Sequence, residues 1–423
     1  MAVVQSNFLD TKHLLPIFLL ILYLCTSTES FTNCKRETCK LPSCRCPSSQ
    51  HPSSISFDEM PQIVLMTFDD DVDESNIHYY NRLFRKERKN PNGCPIVGSF
   101  YVGNDTTDFD IIRKLYLRGH EIGCHCVHHF ETDRWWQKAK YEEWKYQVSA
   151  IRLLLMQLAG IPRKDIKGFR TPFLEIGANH QFRVLQEEGL IYDSSIFQNY
   201  DSFKKPLWPF TMDYPLGHHL CDNRHCPTAT FPGFWEIPLN AMKCPDGTES
   251  TMLDECKSLK TKLDVLSYLW TNFKEYSKIK APFGLYQHHH WFDKHPYVFE
   301  AVDEFVQQIM KREDVWIITM YQFVQWMINP TPLSKLKDFE SWKTSCHRPK
   351  LMTEIRNPVV VAPPRDIGLS ANASVLKSLI YHANNPGVSY YGVLLIFMAV
   401  CGCILVVHRI VKIAFLHCIS SKI

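Results

Sequence analysis

From residue 62 onward, strand-like apolar runs and helix-like amphipathic segments take turns along the chain. That alternation restricts the fold more than any other feature, because it builds parallel strands joined by crossover helices. Residues 62–66 and 96–102 read as strands, and 108–118 and 141–158 as helices. In the second helix Trp144, Val148, Ile151, Leu155 and Leu158 recur at helical spacing and form one packing stripe. Val298, Val302, Phe305 and Ile309 form another, followed by a strand at 315–320 and a last helix holding Phe323 and Trp326. The expected class is α/β, with the C-terminal ends of the strands gathered at one mouth.

Polar groups collect at those ends. Asp69 and Asp70 close the first strand, His125 and His129 come after Glu121-Ile122-Gly123, Arg170 follows Lys167-Gly168-Phe169, and His288 follows Phe283-Gly284-Leu285-Tyr286. A catalytic zinc takes three protein ligands, commonly imidazoles with a carboxylate, and keeps a position open. Asp70, His125 and His129 offer that set, and on a helical turn the two imidazoles four positions apart share a face. The likeness to a zinc-protease helix ends there, since Cys126-Val127-His128 places no Glu between them. Taken singly, Arg170 reads as a surface ion pair and Asp193-Ser194-Ser195 as a turn or helix cap. The acidic strand end coupled to two imidazoles points to a metal-dependent hydrolase.

The termini place that chemistry. Lys12 and His13 precede the apolar stretch 14–25, and small residues follow, as in a secretory signal; an N-terminal anchor is the alternative. Residues 390–407 are long enough to cross a bilayer and are followed by His408, Arg409 and Lys412, which puts the C-terminus in the cytosol. The chain then continues with cationic residues, unlike a GPI signal. The expected division is a signal peptide (1–30), a Cys-rich lead-in (31–58), a catalytic domain (59–349), an extracellular stalk (350–388), a transmembrane helix (389–407) and a cytoplasmic tail (408–423). This describes a single-pass type I protein of the cell surface or secretory-pathway membranes, its catalytic domain extracellular or lumenal. A formal net charge of +3, with no basic stripe, argues against a nucleic-acid partner.

Of the sixteen cysteines, Cys25 lies in the signal and Cys401, Cys403 and Cys418 in or beyond the span. The rest form an even set, which in an exported chain reads as disulfides. Cys34, Cys39, Cys44 and Cys46 could alternatively close a structural zinc site, which oxidising export disfavours. Cys124 and Cys126 flank His125 too closely for a mutual bridge and read as buried thiols. Asn104 and Asn372 open glycosylation sequons.

Thr67-Phe68-Asp69-Asp70, His125-Cys126-Val127-His128-His129, Arg170-Thr171-Pro172-Phe173, Asp193-Ser194-Ser195 and Leu285-Tyr286-Gln287-His288 resemble, in order, the five motifs of polysaccharide deacetylases. Asn90-Pro91-Asn92-Gly93-Cys94, Pro206-Leu207-Trp208-Pro209-Phe210-Thr211, Cys226-Pro227-Thr228 and Trp235-Glu236-Ile237 look like animal chitin deacetylases. The resemblance implies a distorted (β/α) barrel. It implies Zn2+, or another divalent first-row ion such as Co2+ or Mn2+, on Asp70, His125 and His129. Asp69 would be the general base, tuned by Arg170, and His288 the acid, oriented by Asp193. Leu285 would border the acetyl methyl, the Phe173 amide would hold the oxyanion, and Trp235 would touch substrate. With loop position, the resemblance suggests the pairings Cys94 with Cys346, Cys221 with Cys226 and Cys244 with Cys256. Cys126 and His128 depart from the family's usual Ser or Thr, and Cys126 is a possible soft competing ligand.

The implied reaction is hydrolysis of N-acetyl groups from N-acetylglucosamine residues of chitin or chito-oligosaccharides. A metal polarises the amide, donors hold the oxyanion, and an acid protonates the poor amine leaving group. The alternatives are a catalytically weak carbohydrate-binding or matrix-patterning protein on the same fold, or a deacetylase of another N-acetylated glycan.

Overall fold

The computed structural model describes residues 34–351 apart from 53, 131, 199–204, 218–219, 222–224, 344–345 and 348–350. The expected signal peptide, most of the stalk, the apolar run 389–407, the tail and Asn372 therefore lie outside the described residues. Among the described residues no helix is long and apolar enough to cross a membrane.

Thirteen strands and nine α-helices are described. The strands are β1 (Gln62–Asp70), β2 (Ser99–Val102), β3 (Glu121–Cys124), β4 (Gly168–Phe169), β5 (Tyr192–Asp193), β6 (Phe197–Gln198), β7 (Phe210–Met212), β8 (Phe231–Glu236), β9 (Leu239–Asn240), β10 (Met242–Lys243), β11 (Glu249–Ser250), β12 (Phe283–His288) and β13 (Val315–Ile318). The helices are α1 (Ile77–Leu83), α2 (Phe109–Leu117), α3 (Asp133–Lys138), α4 (Tyr141–Gln157), α5 (Ala178–Glu187), α6 (Lys262–Lys278), α7 (His290–Lys294), α8 (Pro296–Ile309) and α9 (Met320–Ile328). The periodic segments form the elements their patterns predict, and Asp108 caps α2 by accepting from the Asp110 and Ile111 amides. The first strand runs four residues further than its apolar core, because its polar end is also laddered, Thr67–Asp70 against β2.

The main sheet runs β12-β1-β2-β3-β4-β5-β8-β7, parallel except for β7, which is antiparallel to β8. β13 shares an edge of β1 with β2, taking its first half. Beyond β5 and β8 the two strands continue into β6 and β9, also parallel. β9 then approaches β12 with no ladder between them among the described residues, so the barrel of crossover helices and strands has one loose seam. The outer edge of β7 is covered by the lead-in: the Thr211 amide donates to Arg45 O, the Arg45 amide donates to the Thr211 hydroxyl, and the Trp208 amide donates to Ser48 O at 3.0 Å. An open strand edge invites pairing with another chain, and this segment removes it.

Strand alternation sorts the core. On β1, Val64, Met66 and Phe68 join the helix-side cluster, whereas Ile63 and Leu65 join an inner cluster with Tyr101, Tyr192, Trp235 and Tyr286. The large inner tyrosines fit only because glycines face them. A Cβ at Gly168 would stand 2.1 Å from the Tyr192 ring, and one at Gly284 2.0 Å from the Tyr286 ring.

Five disulfides are described: Cys34–Cys46, Cys39–Cys44, Cys94–Cys346, Cys221–Cys226 and Cys244–Cys256. The lead-in cysteines are thus bridged rather than metal-binding. Cys124 and Cys126 are free and buried.

Candidate active site

The C-terminal ends of the strands carry the site. In register, Asp69 of β1 stands beside His288 of β12 on one side and Tyr101 of β2 on the other. Asp69 lies on the inner face with Leu65 and Thr67. Asp70, one residue on, would by alternation point outward. Instead it adopts φ 76°, a left-handed conformation that Asp tolerates better than most residues, and its carboxylate enters the mouth. Non-glycine residues held there cost of order 1–3 kcal/mol, a strain typical of sites where a side chain must be re-aimed.

Asp70 Oδ1 lies 3.3 Å from His125 Nε2 and 3.6 Å from His129 Nε2. The imidazoles do not share a helical turn as expected. Residues 125–130 form a bend between β3 and α3, and the rings meet across it with centroids 5.5 Å apart. Gln147 Oε1, on α4, accepts the Val127 and His128 amides at 3.0 Å each, and Asp105 accepts the His129 amide at 3.2 Å. A buried glutamine and a loop aspartate thus shape a bend that local helicity does not provide.

Arg170 ties the site together. It is fully buried, with Nη1 at 2.7 Å from both Asp69 Oδ1 and Thr67 Oγ1. Nε donates to Ser194 O and Nη2 to Ser194 Oγ, and the guanidinium stacks on Tyr101 at 4.2 Å and faces Tyr286 at 5.2 Å. Burial works against its charge, but the Asp69 carboxylate, Tyr101 and Tyr286 together outweigh burial and hold its pKa above the usual arginine value. Its backbone carbonyl lies 2.7 Å from His125 Nδ1, so that nitrogen carries the proton and Nε2 is left with a lone pair aimed at Asp70.

The three donors Asp70, His125 and His129 lie within 4.8 Å of one another, and Asp70 Oδ1 is buried with no hydrogen-bond partner among the described residues. Ligand atoms each about 2.0–2.1 Å from a tetrahedral ion stand roughly 3.3 Å apart, so this carboxylate and these nitrogens suit a divalent first-row cation better than they suit one another.

Across the mouth, His288 Nε2 is 3.9 Å from Asp70 Oδ2. Its other nitrogen, Nδ1, is 2.9 Å from Asp254 Oδ2. Burial alone would lower the His288 pKa, but Asp254, then Asp70 and Asp69, raise it to about 10. Asp254 in turn, although burial opposes its charge, is held below the usual carboxylate range by His288 and His290. The expected orienting residue, Asp193, is elsewhere. It is bound to Ser195 and Gln181 and stands in register beside Glu236. Burial pushes Asp193 to about 7 and Glu236 well above the usual range, so this pair holds a proton between them. Asp193 braces the wall beneath Arg170.

Four further expectations are corrected. Leu285 is three residues from His288, so on a strand it faces the opposite side and packs in the helix-side core; Tyr286 is the residue that shares the inner face. Trp235 is 3% exposed within the inner cluster and does not reach the mouth. Cys126 is fully buried, and burial raises its thiol pKa well above the usual value, so it packs as an apolar side chain rather than as a soft ligand. Phe173 does stand at the rim, 49% exposed, at φ 56°, with its ring against His129 at 4.8 Å. Asn104 is 4% exposed with its amide enclosed, which leaves no room for a glycan on its nitrogen.

The sequence reading missed Asp254, Gln147 and the stacking of Arg170 between tyrosines. Asp254 sits on a short 3-10 turn (Leu253–Glu255) packed against β12, two residues before Cys256, whose bridge to Cys244 ties the end of the turn to the β10–β11 hairpin. No local motif marks it.

No protein-family model matches the chain. Among curated proteins it is 31% identical to chitin deacetylase 1 of Bombyx mori over 298 residues, which is 68% of this chain and 55% of that protein. It is 30% identical to chitin deacetylase 8 of Bombyx mori over 287 residues, 66% of this chain and 74% of that protein. The chain thus spans about half the length of the first relative and three quarters of the second. Among solved structures it is similar to a polysaccharide deacetylase from Mycobacterium smegmatis, with a TM-score of 0.45 and 18% identity, over 68% of this chain and 95% of that one. Identity at this level, over three quarters of the second relative's length, makes this chain a member of the polysaccharide deacetylase family, on its chitin deacetylase branch.

Proposed function

We propose that the protein removes N-acetyl groups from N-acetylglucosamine residues of chitin or chito-oligosaccharides and releases acetate. One observation carries this reading: a carboxylate and two imidazoles converge on a point flanked by a second carboxylate clamped on a buried arginine and a third imidazole backed by its own aspartate.

Asp70, His125 and His129 are the residues that would hold a divalent first-row ion; zinc is the first choice and cobalt or manganese the alternatives. Once bound, such an ion polarises an acetamide carbonyl and lowers the pKa of water to about 7. Asp69 takes the proton from the attacking water, its second oxygen left for that task while Oδ1 stays on Arg170. His288 gives a proton from Nε2 to the departing amine, and Asp254 fixes the ring and favours its charged form. Phe173 supplies an exposed aromatic edge beside the mouth for the sugar face, and its amide is the candidate donor to the oxyanion.

The compartment belongs to the same proposal. Five disulfides in one domain fit an oxidising environment. The apolar run 390–407 with its cationic flank then supports a type I anchor at the cell surface or in secretory membranes. Protease treatment of sealed microsomes should clip only the C-terminal tail; a tail protected within the lumen would reverse the orientation. The activity is tested by acetate release from chito-oligosaccharides, peptidoglycan fragments and acetylated peptides, together with metal analysis of the purified chain. Release from peptidoglycan fragments alone would move the substrate to another N-acetylated glycan.

A further inference from the structure

His288 has two nitrogens and the proposed reaction uses one. Nδ1 faces a separate set of donors: Asp254 Oδ2 at 2.9 Å, with His290 Nε2 at 3.5 Å from that same oxygen. The His288 and His290 rings stack with centroids 5.1 Å apart, and one donor atom from each of Asp254, His288 and His290 lies within 4.8 Å of the others. The Asp254 side chain is 7% exposed, and its Oδ1 is buried with no hydrogen-bond partner among the described residues. A buried carboxylate oxygen left without a donor is costly unless a ligand satisfies it. His290, with a side chain 59% exposed at the start of α7, leaves the cluster open to solvent.

The geometry points to a second divalent-cation site, formed by Asp254, His288 and His290 at the opposite ring nitrogen from Asp70, whose occupancy inhibits the enzyme. Two imidazoles and a carboxylate suit zinc and its first-row neighbours. Binding displaces the proton that bridges His288 Nδ1 and Asp254, and that proton goes to solvent. The ring is then fixed as the tautomer with its remaining proton on Nε2. Giving that proton to an amine would leave a metal-bound imidazolate, and Asp254 would no longer be free to stabilise the charged ring. The acid step therefore stops while Asp70, His125 and His129 remain filled. The open, partly exposed ligand makes this second site the weaker and more labile of the two.

The inhibitory consequence rests on the deacetylase reading; the site itself does not. The test is zinc titration of the purified full-length chain by calorimetry and metal analysis, with acetate release measured in parallel. The parent chain should take two Zn2+ ions, the second more weakly, and lose activity as the second binds. His290→Ala, at an exposed position outside the machinery described above, should keep the first ion and basal turnover, weaken the second at least tenfold, the least that loss of a metal's supporting contact costs, and relieve the inhibition. His290→Gln should behave likewise. A parent that takes one ion, or a His290→Ala chain that binds the second ion undiminished, at neighbouring His289 or His295 for example, overturns the site. A His290-dependent second ion in a chain that never releases acetate upholds the site and refutes the deacetylase reading. A filled second site with full turnover refutes the inhibition.

Discussion

The two walls of the mouth are built differently. On the metal side, Asp69, Asp70, His125 and Arg170 come from the end of a laddered strand or the residue just after it, with His129 on the bend that follows β3, and Arg170 binds Asp69 with its side chain and orients His125 with its carbonyl. On the acid side, His288 ends β12, but its partner Asp254 comes from a turn held by a hairpin and a disulfide. Charges pinned by strand register are set by the sheet. A charge supplied from a loop is set by whatever staples that loop, and is the easier one to move.

The sharpest break is Asp69→Asn. It should keep the bound metal and lower kcat by roughly 10²–10⁴-fold, the usual worth of a positioned general base; undiminished acetate release would remove Asp69 from the reaction. On the other wall, Asp254→Asn should lower turnover by roughly tenfold or more. It should also move the basic limb of the pH profile down by about 1–3 units, because a nearby carboxylate is what favours the protonated ring. Asp193→Asn should leave that limb in place, and a shift in that variant instead would restore Asp193 as the orienting residue.

Smaller effects concern the wall beneath. Gly168→Ala drives a methyl group into the Tyr192 ring and should cost about 1–3 kcal/mol of stability, read by denaturant unfolding. The Asp193–Glu236 pair gives a pH signature of defined sign. With Asp193 at about 7 in the folded chain and an unfolded value near the usual 3.9, the folded state holds a proton that the unfolded state has released. Stability should therefore decline as pH rises from about 4 towards 7, and Glu236→Gln should flatten that decline. Smallest is the change at Asn104: the peptide carrying it should have its unmodified mass before and after glycosidase treatment.

Much of the metal side was legible in the chain. The acidic pair after an apolar run and two imidazoles four apart are local signals, although strand alternation by itself would turn Asp70 out of the mouth that its left-handed backbone brings it into. Alternation also places Leu285 on the face opposite His288, so the signal that puts Leu285 in the helix-side core is present in the spacing itself. The expected helical turn at 125–129 failed for another reason. Gln147 and Asp105, distant in the chain, satisfy the amides that a helix would otherwise satisfy, and the bend wins. Asn104 failed because a sequon states what an enzyme can recognise and says nothing of burial.

By itself, the order of residues determined the alternation of strands and helices, the stripes that pack them, the export-type cysteine usage and the kinds of group that can bind a cation. These follow from periodicity and side-chain chemistry, which are properties of neighbours along the chain. Only the tertiary structure decided that Asp254 rather than Asp193 backs His288, that His125 presents Nε2, and that Cys126 and Trp235 belong to the core. Each of those depends on which distant group desolvates or hydrogen-bonds a given atom, and that is fixed when the sheet closes around it.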